Sequence, residues 1–353
     1  MSNKTRLQTN NINLQELINK ANALPDAGGE SNTQSKTVSL QVKKITSDTY
    51  ANETTYTGEQ FILLNIYPKT NGTVSVTYGG LTKTITDTGE SSYQQVFFGT
   101  FNGVSDSTDT PSSGELTIEG DYRKFGVGVY NSEKSTILRC GCVTAVNNLG
   151  RVVEIGSYAF SGCTDLVSIT IPDSVTRILG FAFNNCSGLT SITISDGIAS
   201  IDSTAFSGCT GLTSIVLPNR GIEIGSTTFV ETAYYKDQSN WFDNMLYIGN
   251  HLIKATTISD SCQIKNETLS IAEAAFENCV NLTNIQIPAN VVVIGKGAFS
   301  GCTSLTSLMF VGAGNETVSS WYATRVVNEI AGTEIDATCL TDTYVDHSWR
   351  RYN

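Results

Sequence analysis

One spacing constrains this chain more than any other feature. Ile155, Ile178, Ile201 and Ile224 stand 23 residues apart, and Ile271 and Ile294 keep the same step. Phe160, Phe183, Phe206, Phe229, Phe276 and Phe299 share the 23-residue period, as do Cys163, Cys186 and Cys209, then Cys279 and Cys302. A leucine follows each of these cysteines three positions later, at Leu166, Leu189, Leu212, Leu282 and Leu305. A period this long means one supersecondary unit per repeat, and such a unit hides its apolar set only by stacking on its neighbours. The chain is therefore read as a solenoid over 152–310, with one coil per repeat.

Within a coil, Ala159-Phe160, Cys163 and Leu166 recur at steps of three and four, which predicts a short helix or a tight helical turn facing inward. In Ser168-Ile169-Thr170-Ile171-Pro172 the alternation of a strand sends Ile169 and Ile171 inward and leaves Ser168 and Thr170 outside. Pro172-Asp173 turns the chain, because proline has no N–H to extend a ladder. Strands of successive coils are expected to form a parallel sheet with the repeat cysteines in one column. Thiols pointing the same way are poorly placed for disulfides, so they read as buried packing groups. Cys140-Gly-Cys142 has neither the spacing of a redox pair nor a second ligand pair for zinc.

The run Ile155-Gly156-Ser157-Tyr158-Ala159-Phe160-Ser161-Gly162-Cys163-Thr164-Asp165-Leu166, continued to Ile171-Pro172, resembles the BspA-like leucine-rich repeats of bacterial surface proteins. The resemblance covers roughly residues 152 to 310. It implies adhesion, a broad surface displayed toward proteins, glycans or other cells, and it brings no catalytic residues.

One coil departs from the pattern. No cysteine follows Phe229 at the usual place, and Ile224 to Ile271 measures 47 residues in place of 46, so an irregular insert is expected at 230–266. It holds Tyr234, Tyr235, Trp241, Phe242 and Tyr247, and Leu246–Ile253 reads as two short strands around Gly249-Asn250. Amphipathic rings stack sugars and brace structures equally well, so Tyr234, Tyr235, Trp241 and Tyr247 are both a candidate ligand site and a candidate brace.

Upstream, 36–142 alternates apolar and polar residues in short runs, such as Val38–Val42 and Thr73–Tyr78, and Gly79-Gly80 links the latter to Leu81–Ile85 as a tight hairpin. Seven or eight such strands argue for a β-sandwich. Residues 1–28 differ again: Leu7, Leu14 and Ala21 are seven apart, each followed three positions on by Asn10, Leu17 or Leu24, and Pro25 closes the stretch. This N-terminal helix is either a short coiled-coil seam with one polar layer or an amphipathic helix docked on the sandwich. Its opening, Lys4 to Pro25, is similar to the start of tail or fibre-associated proteins in prophages of gut Firmicutes, a likeness that implies a virion part among other tail proteins. At the other end, 311–353 loses the repeat; Val318 to Ile330 is expected as helix. Trp321, Tyr322, Trp349 and Arg350 there either cap the last coil or meet a partner.

Twenty-two Lys and Arg against 33 Asp and Glu leave a net charge of −11, which repels phosphate backbones and anionic membranes, so nucleic acid is no expected partner. No apolar run of the length of a membrane span or a signal peptide opens the sequence. The chain is accordingly expected to be whole as it stands, without membrane insertion, and to reach the exterior by assembly or lysis. The only histidines, His251 and His347, fit no metal-ligand spacing, and no nucleophile elbow or phosphate loop is present. No cofactor or metal is expected.

The outward strand positions form the main candidate binding face: Ser168, Thr170, Ser191, Thr193, Ser214, Val216, Asn284, Gln286, Ser307 and Met309. That set carries no acid pair for glycoside hydrolysis. The resulting expectation is a non-enzymatic receptor-binding protein that meets a host cell-surface protein or glycan, on a phage tail or alternatively as a bacterial surface or released adhesin.

A weak neutral face gains avidity from several copies, and the seam of Leu7, Asn10, Leu14, Leu17, Ala21 and Leu24 offers the means, so a homotrimer is expected. Light scattering of the full chain and of one lacking residues 1 to 28 tests this. A monomeric full chain at micromolar concentration rules the trimer out, and an unchanged trimer after truncation removes the helix as its cause.

Overall fold

The computed structural model describes residues 152–305 continuously. Before them it describes 38–43, 45–46, 60–68, 72–86, 94–101, 104–105, 113–120, 122–126, 129–131, 136–138 and 143–150, and after them 307–310, 321–323 and 349–351. The N-terminal seam and the tail-protein likeness at 1–28 lie outside these residues.

Each coil between 152 and 230 has two strands and a run of turns. Glu154–Ile155, Arg177–Ile178, Ser200–Ile201 and Glu223–Ile224 pair in parallel as one four-stranded sheet, with the period-23 isoleucines side by side. Ser168–Thr170, Ser191–Thr193 and Ser214–Val216 form a second, three-stranded parallel sheet. Alternation follows the sequence: Ile169, Ile192 and Ile215 are buried between exposed neighbours.

Of the two forms expected here, helix and tight turn, the tight turn is the one present. Ala159 N–H donates to Gly156 O, Ser161 to Tyr158 and Cys163 to Phe160, all three-residue turns. Tyr158, Phe181 and Thr204 take left-handed φ of 60°, 62° and 65°, and Gly162, Asn185 and Gly208, four residues on, do the same at 74°, 58° and 76°. These breaks rotate alternate backbone groups out of the coil. Phe160 N–H reaches Ala182 O at 2.7 Å and Gly162 N–H reaches Asn184 O at 2.8 Å, one coil away. The steps of three and four arise from turns that also bond sideways, because a helix would have kept those donors to itself.

This arrangement stacks identical residues. The rings of Phe160, Phe183, Phe206 and Phe229 form a column with successive centroids 5.1, 5.0 and 5.7 Å apart and interplanar angles of 12° or less. The cysteines face the same core. Cys186 Sγ donates to Phe160 O at 3.0 Å, Cys209 to Phe183 O at 3.0 Å and Cys302 to Phe276 O at 3.1 Å, so each thiol joins a coil to the one before it. Cys163, Cys186, Cys209, Cys279 and Cys302 are buried and free. Burial pushes the thiols of Cys186 and Cys279 up, and that of Cys302 to about 12, which keeps these three protonated and unreactive at neutral pH. The glycine after the isoleucine is equally local in origin: a Cβ at Gly225 would sit 2.2 Å from Ser203 N, and one at Gly295 2.3 Å from Glu273 N.

The segment 230–266 does not stand outside the stack. It opens with a short helix, Ala233–Lys236, capped by the Thr232 hydroxyl, and a single 3-10 turn at Gln238–Asn240. Trp241–Phe242, Met245–Ile248 and His251–Ala255 then form an antiparallel meander. Its last strand rejoins the solenoid, pairing in parallel with Ser270–Ile271, and Ser259–Gln263 pairs in parallel with Asn281–Ile287. The meander therefore opens a second block of coils. Ala255 N–H reaches Ala275 O just as Phe276 N–H reaches Ala298 O, so Ala255 takes a phenylalanine's place and the ring column breaks between Phe229 and Phe276. Polar contacts bridge the blocks: Glu273 N–H donates to Ile224 O, the Glu273 carboxylate accepts from Ser203 Oγ and Ser226 N, and His251 Nε2 donates to Pro218 O at 2.8 Å.

Among the described residues three antiparallel sheets precede the solenoid, the smallest being Val129–Asn131 paired with Thr136–Leu138. Of the larger two, one runs Val143–Asn148, Val38–Lys43, Ser113–Gly120, Thr73–Tyr78, Leu81–Thr86; in the other, Gln60–Pro68 lies between Gln94–Phe101 and Tyr122–Gly126. Gly79 and Gly80 both have left-handed φ, the geometry that closes a two-residue hairpin. The two larger sheets meet where Tyr78 sets its ring edge-on to Phe98, centroids 5.6 Å apart. Val143–Asn148 also packs beside Ser168–Thr170 of the first coil.

Past the last coil, Trp349–Arg351 pairs antiparallel with Val293–Ile294, and Trp321–Ala323 pairs with Trp349–Arg351. The strand at 321–323 replaces the helix expected across that stretch; its residues, Trp, Tyr and Ala, are led by two that favour strands.

Phe206 is fully buried in mid-column whereas Ser191 is exposed. Phe206→Ala is expected to destabilise by about 3 to 5 kcal/mol in chemical denaturation, and Ser191→Ala to stay within about 0.5 kcal/mol. Equal effects would overturn the inward and outward assignment.

His251 is 1% exposed at the block junction with no hydrogen-bond partner for Nδ1 among the described residues, and burial lowers its pKa from 6.5. A lowered folded pKa means stability that is intact above 6.5 and drains as pH falls below it, by at most about 1.4 kcal/mol per pH unit. His251→Gln should flatten this limb between about pH 6.5 and pH 5, where the neutral histidine otherwise resists charging. Parallel denaturation profiles for the two proteins would clear His251 of the effect.

Candidate functional site

The outward strand positions come together as rows. Ser168, Ser191 and Ser214 align in register, and so do Thr170, Thr193 and Val216. All six are exposed, and Val216 keeps 51% of its surface. In the second block Asn284 and Gln286 are exposed beside the backbones of Ser307 and Met309. The side chains of Ser307 and Met309 lie outside the described residues.

Ser261 and Gln263 belong to the same face, and sequence reasoning missed them by placing them in the insert. They pair with Asn284 and Gln286 across Ser259–Gln263 and Asn281–Ile287. The signal was present: 284 less 23 is 261, and 286 less 23 is 263, so the period survives at these strands. It was hidden because Cys262 takes the isoleucine's inward place. Burial pushes the Cys262 thiol up to about 12, which makes it a packing group.

The two sheets of the solenoid differ in charge. The strand rows Ser168–Val216 have none, while the four-stranded sheet carries Glu154, Arg177 and Glu223. Arg177 lies 3.8 Å from Glu154 and 3.6 Å from Asp202. Burial raises the Asp202 pKa against the pull of Arg177. Partly exposed pairs of this kind contribute about 0 to 1 kcal/mol each, so they keep that side polar and add little stability. No cluster of three or more His, Cys, Asp or Glu among the described residues is placed to hold a metal ion.

The aromatic insert turns its polar handles inward. Tyr247 is 5% exposed, which removes it as a stacking platform. Tyr234 Oη donates to Tyr247 O, Trp241 Nε1 donates to Tyr235 O, and the Tyr235 and Trp241 rings meet edge-on at 5.5 Å. Tyr234, Tyr235 and Trp241 pack half-buried against the core. The exposed ring is Phe242, at 54%. Lys265 lies over it and over Tyr247, with 5.5 and 4.4 Å to the ring centroids. The insert is thus chiefly a brace. At the C-terminus, Tyr322 pairs with Arg350 and Trp321 with Arg351 in strands added to the edge of the solenoid sheet, a position that closes the stack.

The BspA-type leucine-rich-repeat region matches this chain in six copies, over residues 136–252 and 236–323. The chain belongs to that family.

Among solved structures, a leucine-rich-repeat protein from Bacteroides ovatus is 20% identical, with 52% of this chain and 69% of that one covered and a TM-score of 0.25. The T. pallidum leucine-rich-repeat protein is 25% identical over 51% of this chain and 77% of its own, also at 0.25. A leucine-rich cell surface protein from Faecalibacterium prausnitzii is 27% identical, with 46% and 59% covered and a TM-score of 0.21. No curated protein matches. No helix among the described residues is long and apolar enough to cross a membrane.

Proposed function

We propose that this BspA-type repeat protein is a non-catalytic adhesion protein that presents the outward strand face of its solenoid to a protein or glycan on a host cell. The observation that carries the reading is the uncharged, exposed lattice of Ser168, Thr170, Ser191, Thr193 and Ser214, extended by Asn284 and Gln286 on a rigid parallel sheet. Hydroxyls and carboxamides both donate and accept hydrogen bonds, which suits a neutral polar ligand, and without charge there is no strong anchor for any single contact. Binding of this kind is additive and weak per copy, which is where a homotrimer would help.

The carrier of this surface is proposed to be a phage tail, on the likeness of residues 4–25 to tail-associated proteins. A bacterial cell envelope is the second reading, supported by the family and by the surface description of the Faecalibacterium prausnitzii protein. Immunogold labelling of the producing culture separates the two: label on particles supports the tail, and label on cell envelopes supports the adhesin.

For the face itself, Thr170→Arg with Thr193→Arg is expected to reduce binding of purified chain to target cells by about tenfold or more, with an unchanged thermal midpoint. Asp173→Arg, at an exposed turn off the face, is expected to leave binding unchanged. Full binding by the face variant removes this face as the adhesive surface.

A further inference from the structure

The outward face changes chemistry between blocks. Small hydroxyls cover the first, whereas the second carries longer carboxamides, and there the face holds a groove of about 410 Å3. Ser261, Gln263, Asn266, Asn284 and Gln286 supply its polar lining beside Cys262 and the buried Ile264 and Pro288, and none of the residues lining it is charged. Gln263 and Gln286 are register partners on adjacent parallel strands, whose backbones run about 4.8 Å apart. Both are exposed, and neither side chain spends its amide on a hydrogen bond among the described residues.

We propose that this groove is a subsite for the acetamido group of a neutral N-acetylhexosamine. The proposal rests on the reading of this face as adhesive and names the chemistry of its ligand.

Two features select that group. A carboxamide offers an N–H donor and a C=O acceptor in one plane, the complement of the C=O and N–H of a secondary amide, so the Gln263 and Gln286 pair meets an acetamido group at two points. The absence of charge from the lining removes any partner for a carboxylate or sulfate, which disfavours acidic sugars. The groove is of the size that holds a small ligand.

Calorimetric titration of the full chain with N,N′-diacetylchitobiose, cellobiose and a neutral blocked tetrapeptide tests this. The diacetylated sugar is expected to bind, cellobiose to bind about tenfold more weakly or worse, and the peptide to give no comparable heat. Gln263→Ala with Gln286→Ala should weaken the sugar by about tenfold or more while the thermal midpoint stays in place. If that pair fails to fold, Gln286→Glu keeps the shape, removes the NH2 donors and should weaken binding in the same way. No binding of the diacetylated sugar, equal binding of cellobiose, preference for the peptide or unchanged binding by the variants each overturns the proposal. These results are separable from the adhesive reading: cell binding lost in the Thr170 and Thr193 variant, by a chain indifferent to the diacetylated sugar, leaves the adhesive face standing and removes only this subsite.

Discussion

Half of what holds a coil together belongs to the next coil. The N–H groups of Phe160 and Gly162 are aimed at the carbonyls of Ala182 and Asn184, in the next repeat. The thiol of Cys186 reaches back to Phe160 O, an acceptor that already takes the Cys163 N–H. Buried backbone groups left unpaired cost free energy comparable to a lost hydrogen bond. A single repeat therefore has no stable form, and the 23-residue period follows as the length that returns every donor to the level of its acceptor. The stacked rings and aligned isoleucines are consequences of that return.

A stack with open donors at each end must be closed, and this chain closes it with strands. At the start, Val143–Asn148 belongs to the first sheet and packs beside the first coil. At the finish, Trp349–Arg351 and Trp321–Ala323 pair onto the last strand of the solenoid sheet. In the middle, the meander from Trp241 to Ala255 ends one block and begins another, and the loss of a phenylalanine at Ala255 is offset by Tyr234, Tyr235 and Trp241 packed against the core. Backbone and side-chain contacts through Glu273 and His251 tie the blocks where sheet pairing is interrupted.

The inward half of the solenoid was legible in the sequence because a core position admits few residue types, and repetition makes those few visible. Ile, Phe, Cys and Leu at fixed steps located the coils and predicted which strand residues are buried. Steps of three and four left helix and tight turn both open. A turn with left-handed residues at Tyr158 and Gly162 yields the same spacing, and nothing in the pattern distinguishes the two unless the glycines and asparagines at 162, 185 and 208 are weighed as left-handed positions. The insert, by contrast, misled. There the inward residues changed, Cys262 standing for an isoleucine and Ala255 for a phenylalanine, while the spacing persisted. The burial of Tyr247 was not legible at all, since an aromatic residue on a short strand reads the same whether its ring is covered or bare.

The same physics that fixes the inward positions frees the outward ones. On strands of three residues only the central side chain enters the core, so the two flanking it are released from core packing. Ser168, Ser191 and Ser214 face outward at the level where Ser261 and Asn284 stand in the second block, and Thr170 and Thr193 at the level of Gln263 and Gln286. The exchange of hydroxyl for carboxamide is possible without disturbing the register, because pairing is set by backbone groups and by the isoleucine or cysteine between them. A fold of this kind carries ligand chemistry as a separable layer: a long side chain raises a wall, a short one leaves a floor, and the groove along Gln263 and Gln286 is the outcome of that choice made on neighbouring coils.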